Sequence, residues 1–477
     1  MQERVLKKNQ DIEIRIVDLA FGGVGIGKIP TGKGDFTVFV QNTIPGQLVS
    51  ARVEKAQKRY AECRLMDVLE LSPDEVKTSF QPIPGAPYAS WPIDKQTASK
   101  KKTVLDLFRK IGMVHEIEDY FEEYILSPSI WHYRNKMEYS FSVIRFDLQE
   151  KKEYDDFGLG FKHRGTWWCV ENLDRDSGLF DEEFENQMAE IRRWCMSTGL
   201  PAWHPPRRIG FFRYLVVRKT FSSNQLLVNL VTSEHDAEQF DSGAFTQMLL
   251  SLFGNRIAGV IHTKNTNTGD RVDPLSGTTT LLFGAPKITE VIHGLKFDIS
   301  MSSFFQTNPA SAEKLYAKVL EYAGVSEDDD GQVILDLFCG TGTITQLLAQ
   351  RSKKKVIGVD IVESAIDDAR QSAFRNGVHN LAFYAADAGK FLLDFPEYKG
   401  RIGCLVMDPP RAGIAPKTLR KVIALDVPRI VYVSCNPATQ ARDIVEMRNA
   451  GYRMVKLSLV DQFPHTSHVE TIVLFEK

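Results

Sequence analysis

Residues 309–435 show a regular alternation of strand-like and helix-like segments. The strand-like segments are short and apolar, and they include VILDLF, KVIGVDI, LAFYAAD, RIGCLVMD and RIVYVSC. Strands that alternate with helices form parallel, doubly wound sheets, which bind ligands beyond the carboxyl ends of their strands. The sequence therefore predicts an α/β domain over residues 301–477, whose last segment, residues 452–477, forms two strands joined by a loop.

Acidic residues and a glycine turn stand at the ends of these predicted strands. The acidic residues are Asp336, Asp360, Asp387 and Asp408. Gly340 and Gly342 form a tight turn after the first strand, where the backbone can approach a ligand closely. A carboxylate at the end of the second strand, here Asp360, accepts hydrogen bonds from ribose hydroxyls, which a dinucleotide and S-adenosylmethionine both carry.

The details of the glycine turn favour S-adenosylmethionine over a dinucleotide. The turn lacks the third glycine of the dinucleotide fingerprint, GxGxxG. Asp336 lies at its mouth, where a carboxylate repels a pyrophosphate but attracts a sulfonium or an ammonium group. The sequence therefore predicts a cationic cofactor at this turn.

Cys435 follows the fifth strand and has two interpretations, as a small packing residue or as a nucleophile. Carbon 5 of a uracil reacts poorly with a methyl sulfonium, but a thiolate that adds to carbon 6 makes it reactive. A base must then remove the proton from carbon 5 so that the thiolate can leave. Glu470, just before the last strand, is a candidate for that base and equally for an edge charge. The segment MDPPRAG places Asp408 and two stiff prolines beside the same crevice, as a rigid wall for a planar base.

Upstream of residue 301 the pattern predicts two further domains. Short alternating segments separated by glycine-bearing turns, such as FGGVGIGKIPTGKG, predict a small all-β barrel over residues 1–73. A proline-rich connector follows, and residues 74–300 mix strands with helices, which is typical of an α+β domain. Three domains suit 477 residues, because a single core stops growing beyond about 300 residues.

Cysteine usage and hydropathy limit the class of protein. The six cysteines are too sparse for a disulfide framework and have no metal-ligand spacing. His465 and His468 lack further ligands nearby, so we expect a positioning or surface role and no metal. No segment approaches the roughly 18 apolar residues of a membrane span, and the polar start lacks a signal-peptide core, which predicts a cytoplasmic protein without a membrane partner.

The net charge of −2 does not indicate a nucleic-acid binder by itself. Any contact with an anionic partner therefore requires local basic patches, although each such patch is more often a solvated face. The candidates are Lys55, Lys58 and Arg59, Lys100 to Lys102, Arg207 and Arg208, and Lys353 to Lys355.

The motifs together resemble the RNA uracil-5-methyltransferases, which form 5-methyluridine in ribosomal and transfer RNA. The matching motifs occur in the family's order and are SSFFQTN, DLFCGTGT, MDPPRAG, VSCNPAT and HTSHVE. FGGVGIGKI and VFVQNTIPGQLV resemble the TRAM domain, an OB-like RNA-binding barrel. The resemblance covers nearly the whole chain, and it implies a Rossmann-like class I methyltransferase domain.

The resemblance also implies roles for single residues. It makes Cys435 the nucleophile and Glu470 the base that takes the carbon-5 proton. It places S-adenosylmethionine against Gln306, Phe338, Thr343, Asp360, Asp387 and Asp408. The pattern of the glycine turn adds Asp336, Gly340 and Gly342 to this predicted set. Thr343 stands where several members have Asn. Residues 96–128 are implied to pack with the catalytic domain, and Phe304 and Phe305 are candidates to stack on a flipped base.

One departure concerns a metal cluster. Many members carry a Cys-x5-Cys-Gly-Gly-Cys segment that holds an iron–sulfur cluster. The corresponding stretch here, FQPIPGAPYASWPIDKQ, has no cysteine, so we predict that the protein has no such cluster. We expect an apolar plug to replace it, formed by Pro82, Pro84, Pro87, Tyr88, Trp91 and Pro92.

The partner is therefore expected to be RNA, bound by a monomeric enzyme. By analogy, the TRAM domain favours large-subunit ribosomal RNA over the T-loop of transfer RNA. Two other functions remain open. RNA cytosine-5 methylation is disfavoured because the fourth-strand motif lacks that family's Pro-Cys, and a non-catalytic RNA-binding assembly factor is disfavoured because the thiol, the glutamate and the glycine turn are all present.

Overall fold

The computed structural model describes residues 5–32, 34–269, 277–325 and 331–477, and the chain forms two compact units. The first comprises Met1–Lys77, Pro87–Pro128 and Ala310–Lys477, and the second comprises Thr78–Ala86 and Ser129–Pro309. The predicted domain limits of 1–73, 74–300 and 301–477 stay a prediction. Residues 1–4 and 33 of the predicted barrel lie outside the described residues.

The N-terminal part of the first unit is a closed five-stranded barrel with the strand order β1-β2-β3-β5-β4. Its strands are β1 Asp11–Ala20, β2 Val24–Thr31, β3 Gly34–Gln41, β4 Leu48–Ala56 and β5 Tyr60–Glu70. Alternate residues of each strand point inward, for example Val38 and Val40, which have no exposed surface. This period of two closes an apolar core inside a small barrel.

The remainder of the first unit is built on an eight-stranded sheet with the order β18-β17-β16-β19-β20-β22-β21-β6. Its strands are β6 Phe121–Ile125, β16 Val333–Leu337, β17 Lys355–Asp360, β18 Leu381–Ala385, β19 Ile402–Met407, β20 Arg429–Ser434, β21 Arg453–Val460 and β22 Glu470–Glu476. The pairs from β18 to β20 are parallel, whereas β22 runs antiparallel to both β20 and β21. The central strands are almost wholly buried, as expected of a parallel sheet covered by helices on both faces.

Helices cover this sheet and join its strands. They are α1 Ile93–Lys110, α2 Ile117–Tyr120, α6 Pro309–Ala323, α7 Thr343–Arg351, α8 Glu363–Arg375, α9 Phe391–Asp394, α10 Pro416–Ile423 and α11 Pro437–Asn449. Strand β6, which follows α2, pairs in parallel with β21 at the sheet edge. Thus a segment from the first third of the chain completes the sheet whose other strands all come from residues 333–476.

The second unit contains a seven-stranded sheet with the order β13-β12-β11-β10-β7-β8-β9 and a separate hairpin of β14 and β15. Its strands are β7 Lys136–Asp147, β8 Lys152–Lys162, β9 Val170–Asn172, β10 Phe212–Lys219, β11 Leu226–Ser233, β12 Ile257–Asn265, β13 Thr278–Gly284, β14 Lys287–Ile292 and β15 Leu295–Ser300. Its helices are α3 Glu182–Asn186, α4 Met188–Ser197 and α5 Ser242–Phe253. Among the described residues of both units, no helix is long and apolar enough to cross a membrane.

Candidate active site

The direction of β22 brings the predicted nucleophile and base to the same edge of the sheet. The parallel strands β16 to β20 present their carboxyl ends at this edge. Because β22 is antiparallel to β20, its first residue, Glu470, lies there too. Ser434 at the end of β20 pairs with Thr471 of β22, so Cys435 and Glu470 occupy the next position in that register.

The turn after β16 forms the predicted cofactor half of the crevice. Asp360 at the end of β17 accepts hydrogen bonds from the backbone N–H of Gly340, at 3.0 Å, and of Val362, at 2.9 Å. Gly342 has a φ of +75°, and a Cβ there would lie 2.6 Å from the ring of Phe383. Nothing lies within 4 Å of a Cβ built on Gly340, so open space faces this glycine. The turn is therefore held by Asp360 and leaves room for a ligand.

Phe338 enters this turn with a φ of +63°. A bulky side chain rarely adopts that conformation, which costs about 1–3 kcal/mol and persists where the surrounding structure enforces it, often at functional sites. The ring packs against the core of the sheet. Its backbone geometry therefore supports the functional role that the resemblance implies.

Asp336 is fully buried below the same turn. One carboxylate oxygen, Oδ2, accepts a 2.6 Å hydrogen bond from Thr345 Oγ1, and the other, Oδ1, has no hydrogen-bond partner in the described part of the chain. Burial raises the pKa of Asp336 to about 7, and the Asp408 and Asp360 carboxyls raise it as well. An unsatisfied buried carboxyl among other carboxyls favours a positively charged ligand. These residues fit the sulfonium and ammonium groups of S-adenosylmethionine.

The remaining predicted cofactor residues are placed differently. Asp387 lies two residues beyond β18, and its carboxylate has no hydrogen-bond or ion-pair partner among the described residues. Thr343 is the buried first residue of α7. Gln306 belongs to the second unit, where its backbone carbonyl accepts a 3.0 Å hydrogen bond from Asn135 Nδ2.

Cys435, Asp408 and Glu470 form the predicted chemical half of the crevice. Burial raises the pKa of Glu470 to about 8, and the negative charge of Asp408 adds to the shift. Removal from water raises the pKa of Asp408 to about 6. Burial, with the charges of Glu470 and then Asp408, raises the pKa of the half-buried Cys435 thiol to about 12. Without a ligand the thiol is therefore protonated at neutral pH. Glu470 changes from its protonated to its ionised form as the pH passes through about 8.

A buried hydrogen-bond network links the two catalytic candidates. Thr471 Oγ1 lies 2.7 Å from Gln440 Oε1 and 3.1 Å from the carbonyl oxygen of Ser434. Gln440 Nε2 donates a 2.8 Å hydrogen bond to the carbonyl oxygen of Tyr432. Thr471 and Gln440 have no exposed surface. The network therefore fixes the end of β20, which carries Cys435, against the start of β22, which carries Glu470.

The loop of residues 408–413, which contains the two prolines, is hydrogen-bonded to Asn436, the residue that follows Cys435. Asn436 caps α11 through a 3.3 Å hydrogen bond from the N–H of Ala438, and Pro437 occupies the first helical position. Asn436 Nδ2 also donates to the carbonyl oxygen of Arg411 at 3.1 Å. Cys435 consequently lies between the start of a helix, whose dipole favours a thiolate, and the wall formed by residues 408–413.

Three features of the first unit were missed or mistaken at the sequence level. Gln440 was missed, although a polar residue on the buried face of α11, in line with Ile444 and Met447, was the available signal. Tyr316 on α6 was also missed; burial raises its pKa, and so do the charges of Asp408, Glu470 and Asp336. The interpretation of Lys100 as part of a basic surface patch was wrong, because Lys100 is 3% exposed and forms a 2.8 Å ion pair with the buried Asp461.

The two phenylalanines of the SSFFQTN segment differ in exposure. Phe304 is 75% exposed, whereas Phe305 is 8% exposed and packs against Phe297. Only Phe304 is therefore available for stacking on a base.

Two family models match the chain. One, described as tRNA (Uracil-5-)-methyltransferase, matches residues 290–477, and the other, described as TRAM domain, matches residues 6–66. The second match coincides with the five-stranded barrel.

Similar proteins cover the chain from end to end. An uncharacterized RNA methyltransferase of Caldanaerobacter subterraneus is 36% identical, over 99% of this chain and 100% of its own length. One of Chlorobaculum tepidum is 36% identical, over 100% of this chain and 98% of its own length. Among solved structures, the tRNA (uracil-54, C5)-methyltransferase of Pyrococcus abyssi in complex with S-adenosyl-L-homocysteine matches with a TM-score of 0.70 and 27% identity, over 98% of this chain and 100% of that chain.

Proposed function

The chain belongs to the S-adenosylmethionine-dependent RNA uracil-5-methyltransferase family, and we propose that it methylates carbon 5 of an RNA uridine through Cys435 and Glu470. The family membership confirms the predicted fold class, a Rossmann-like methyltransferase domain with an N-terminal TRAM-type barrel. The observation that supports the proposed mechanism is the position of these two residues at the crevice edge: Cys435 directly follows β20, and Glu470 begins the antiparallel strand β22 that pairs with it.

The proposed steps follow from the chemistry of the two side chains. The Cys435 thiol passes its proton to solvent, and the thiolate sulfur bonds to carbon 6 of the uracil, which turns the ring into an enolate with a nucleophilic carbon 5. S-adenosylmethionine, when bound, supplies the methyl group. Glu470 then accepts the proton of carbon 5, the bond from carbon 6 to sulfur breaks, and the ring double bond returns.

Glu470 is suited to remove that proton. Its side chain is 4% exposed and has no hydrogen-bond or ion-pair partner among the described residues, so its carboxylate is free to reach the substrate. A base works best when its pKa lies near the working pH, and burial raises the pKa of Glu470 to about 8. Burial and the charges of Glu470 and Asp408 raise the pKa of the Cys435 thiol to about 12, and the positive charge of Arg411 opposes this shift.

We propose that the cofactor is held by the residues of the glycine turn and the strand ends. Asp360 keeps the turn in place and binds ribose hydroxyls, while Asp336 and Asp408 offset the cofactor's positive charge. The full proposed set is Gln306, Asp336, Phe338, Gly340, Gly342, Thr343, Asp360, Asp387 and Asp408.

Large-subunit ribosomal RNA is the proposed substrate, on the analogy of the TRAM domain. Transfer RNA is a second candidate, because the match to the Pyrococcus abyssi enzyme, which acts on uracil 54 of tRNA, covers 98% of this chain, barrel included. Mapping 5-methyluridine separately in the ribosomal and transfer RNA of a strain lacking the gene decides between them. We further propose that the enzyme is a cytoplasmic monomer.

The mechanism is tested by methyl transfer from radiolabelled S-adenosylmethionine to RNA. Cys435→Ala is expected to bind the cofactor normally and to transfer no methyl group. Cys404→Ala is the matched control, because Cys404 is a buried thiol near the opposite end of the neighbouring strand β19. Methyl transfer by Cys435→Ala at the rate of this control would refute the proposed nucleophile.

A further inference from the structure

The loop that leads into Glu470, residues 461–469, is held by parts of the chain that are distant in sequence. We call this segment the base loop. It connects β21 to β22, so its conformation determines the position of the Glu470 backbone, from which the carboxylate extends. His465, in its middle, has a φ of +65°, a conformation that the surrounding contacts must enforce.

Helix α1 clamps the base loop through Gln96. This side chain has no exposed surface, and its Oε1 accepts a 2.9 Å hydrogen bond from the backbone N–H of His465. Its Nε2 lies 3.1 Å from His465 Nδ1, 3.0 Å from the carbonyl oxygen of Tyr88 and 2.6 Å from that of Trp91. The backbone N–H of Tyr88 also donates to the carbonyl oxygen of His465 at 3.1 Å. One buried amide thus ties the base loop to the connector before α1.

A second clamp lies at the start of the base loop. Lys100, one turn beyond Gln96, forms the buried ion pair with Asp461 and donates a 3.0 Å hydrogen bond to the carbonyl oxygen of Phe463. Ser311 Oγ lies 3.1 Å from the carbonyl oxygen of Asp461. Buried polar contacts of this kind fix one arrangement, because breaking any of them leaves an unsatisfied group away from water.

The barrel reaches the same loop through its β1–β2 turn. Gly22 and Gly23 both have positive φ values, +83° and +78°. A Cβ on Gly23 would lie 2.7 Å from Tyr88 Oη and 2.8 Å from Ser467 Cβ, whereas a Cβ on Gly22 would meet nothing within 4 Å. Tyr88 and Trp91 form a buried apolar cluster with Leu19 and Ile44 of the barrel. The backbone of Gly23 therefore packs directly against the connector and the base loop.

We propose that the barrel turn at Gly23 and the amide of Gln96 position Glu470 for proton removal, so that the barrel forms part of the catalytic apparatus. This inference rests on the proposed role of Glu470. Gln96 and Gly23 act through the base loop and are positioning residues. The apolar contacts of Tyr88 and Trp91 give the cysteine-free connector a structural role at the same place.

Two steps of the proposed reaction depend on different parts of the fold. Addition of Cys435 to carbon 6 depends on β20 and α11, which the base loop does not contain. Removal of the carbon-5 proton depends on Glu470, which the base loop positions. Disturbing the loop should therefore slow release of the carbon-5 proton while leaving cofactor binding and adduct formation intact.

The test compares Gly23→Ala with Gly22→Ala, two neighbouring substitutions with the same backbone strain. At saturating RNA, release of tritium from [5-³H]uridine RNA measures proton removal, and covalent capture of 5-fluorouridine RNA measures addition by Cys435, because fluorine blocks the later step. Relative to Gly22→Ala, Gly23→Ala is expected to release tritium about 10- to 100-fold more slowly, since displacements near 1 Å have effects of this size. Covalent capture should stay within about twofold.

Gln96→Leu is a second variant with the same expected signature, and trapped adduct with natural RNA should accumulate in both. Equal tritium release in Gly22→Ala and Gly23→Ala, or a parallel loss of capture and release in Gly23→Ala, would overturn the inference. Absence of tritium release from the unmodified enzyme with its RNA substrate would instead overturn the proposed function, so the two failures are distinguishable.

Discussion

The two halves of the crevice are built in different ways. In the cofactor half, Asp360 and Gly340 lie close in sequence, and backbone hydrogen bonds within adjacent strand ends hold them. In the chemical half, Cys435 and Glu470 come from separate strands, and contacts from α11, α1 and the barrel turn hold them.

Asp360 and Glu470, one from each half, differ in their hydrogen bonds. Asp360 accepts two backbone hydrogen bonds and is a structural acceptor before any ligand binds. Glu470 is buried without a hydrogen-bond partner in the described residues, and its pKa is raised to about 8. A carboxylate that is held in place suits binding, whereas one that is poised to take a proton suits catalysis.

The largest expected effect is a loss of turnover caused by a substitution in the chemical half alone. Glu470→Gln removes the proposed base but keeps the shape of the side chain, so turnover should fall by about 10²- to 10⁴-fold, the usual contribution of a general base. The covalent adduct with natural RNA should persist, and it is visible as a band shift on a denaturing gel. A variant that turns over normally would remove Glu470 from the mechanism.

The second effect is a loss of cofactor affinity caused by a substitution in the cofactor half alone. Asp360→Ala leaves the N–H groups of Gly340 and Val362 without their acceptor and removes the proposed ligand of the ribose, so the Kd of S-adenosyl-L-homocysteine should rise about 10- to 100-fold. Titration calorimetry measures this change. Asp367→Ala, which removes an exposed carboxylate of α8, is the control and should bind normally. Unchanged affinity in Asp360→Ala would contradict the assignment.

A smaller effect is expected from a substitution that weakens the hydrogen-bond network between the two proposed catalytic residues. Thr471→Val removes the hydroxyl that donates its one hydrogen to Gln440 Oε1 or to the carbonyl oxygen of Ser434, and we expect turnover to fall about tenfold, with unchanged cofactor affinity. Thr471→Ser keeps the hydroxyl and should restore turnover. If the serine variant is as slow as the valine variant, the network does not position the base.

The smallest effect concerns pH. Because the pKa of Glu470 is raised to about 8, its basic form becomes more abundant as pH rises, and kcat should increase about fivefold from pH 7 to pH 8. Cofactor affinity should also rise with pH, but over a lower range, around the pKa of Asp336 near 7, because only ionised Asp336 attracts a cation. Both kcat and cofactor affinity are measured across this pH range, with the Glu470→Gln variant as the reference. If the two quantities change over the same pH range, the separation of the two halves is contradicted.

The same contrast explains how much the sequence could predict. The positions of Asp336, Gly340 and Asp360 on successive strands and the turn between them were predictable, because a strand, a tight turn and the next strand carry their own local signals. The position of Glu470 beside Cys435 depends on the antiparallel insertion of β22 between β20 and β21, which periodicity does not reveal.

The residues that hold the chemical half in place were even harder to predict from the sequence. Gln96 and His465 are in contact only through the tertiary fold, and nothing in the polar run around Gln96 distinguishes a buried amide from an exposed one. For the same reason Lys100 was mistaken for a surface cation. Long-range partners of buried polar groups are fixed by topology, and local propensity does not encode topology.

The central claim is that Cys435 forms a covalent bond to the target uridine and Glu470 completes the reaction. The most direct measurement is mass spectrometry of peptides from the enzyme trapped on 5-fluorouridine RNA in the presence of S-adenosylmethionine. We predict a single modified peptide, in which Cys435 carries a methylated fluoropyrimidine nucleotide. An adduct on another cysteine, or methylated RNA formed with no adduct at all, would contradict the account.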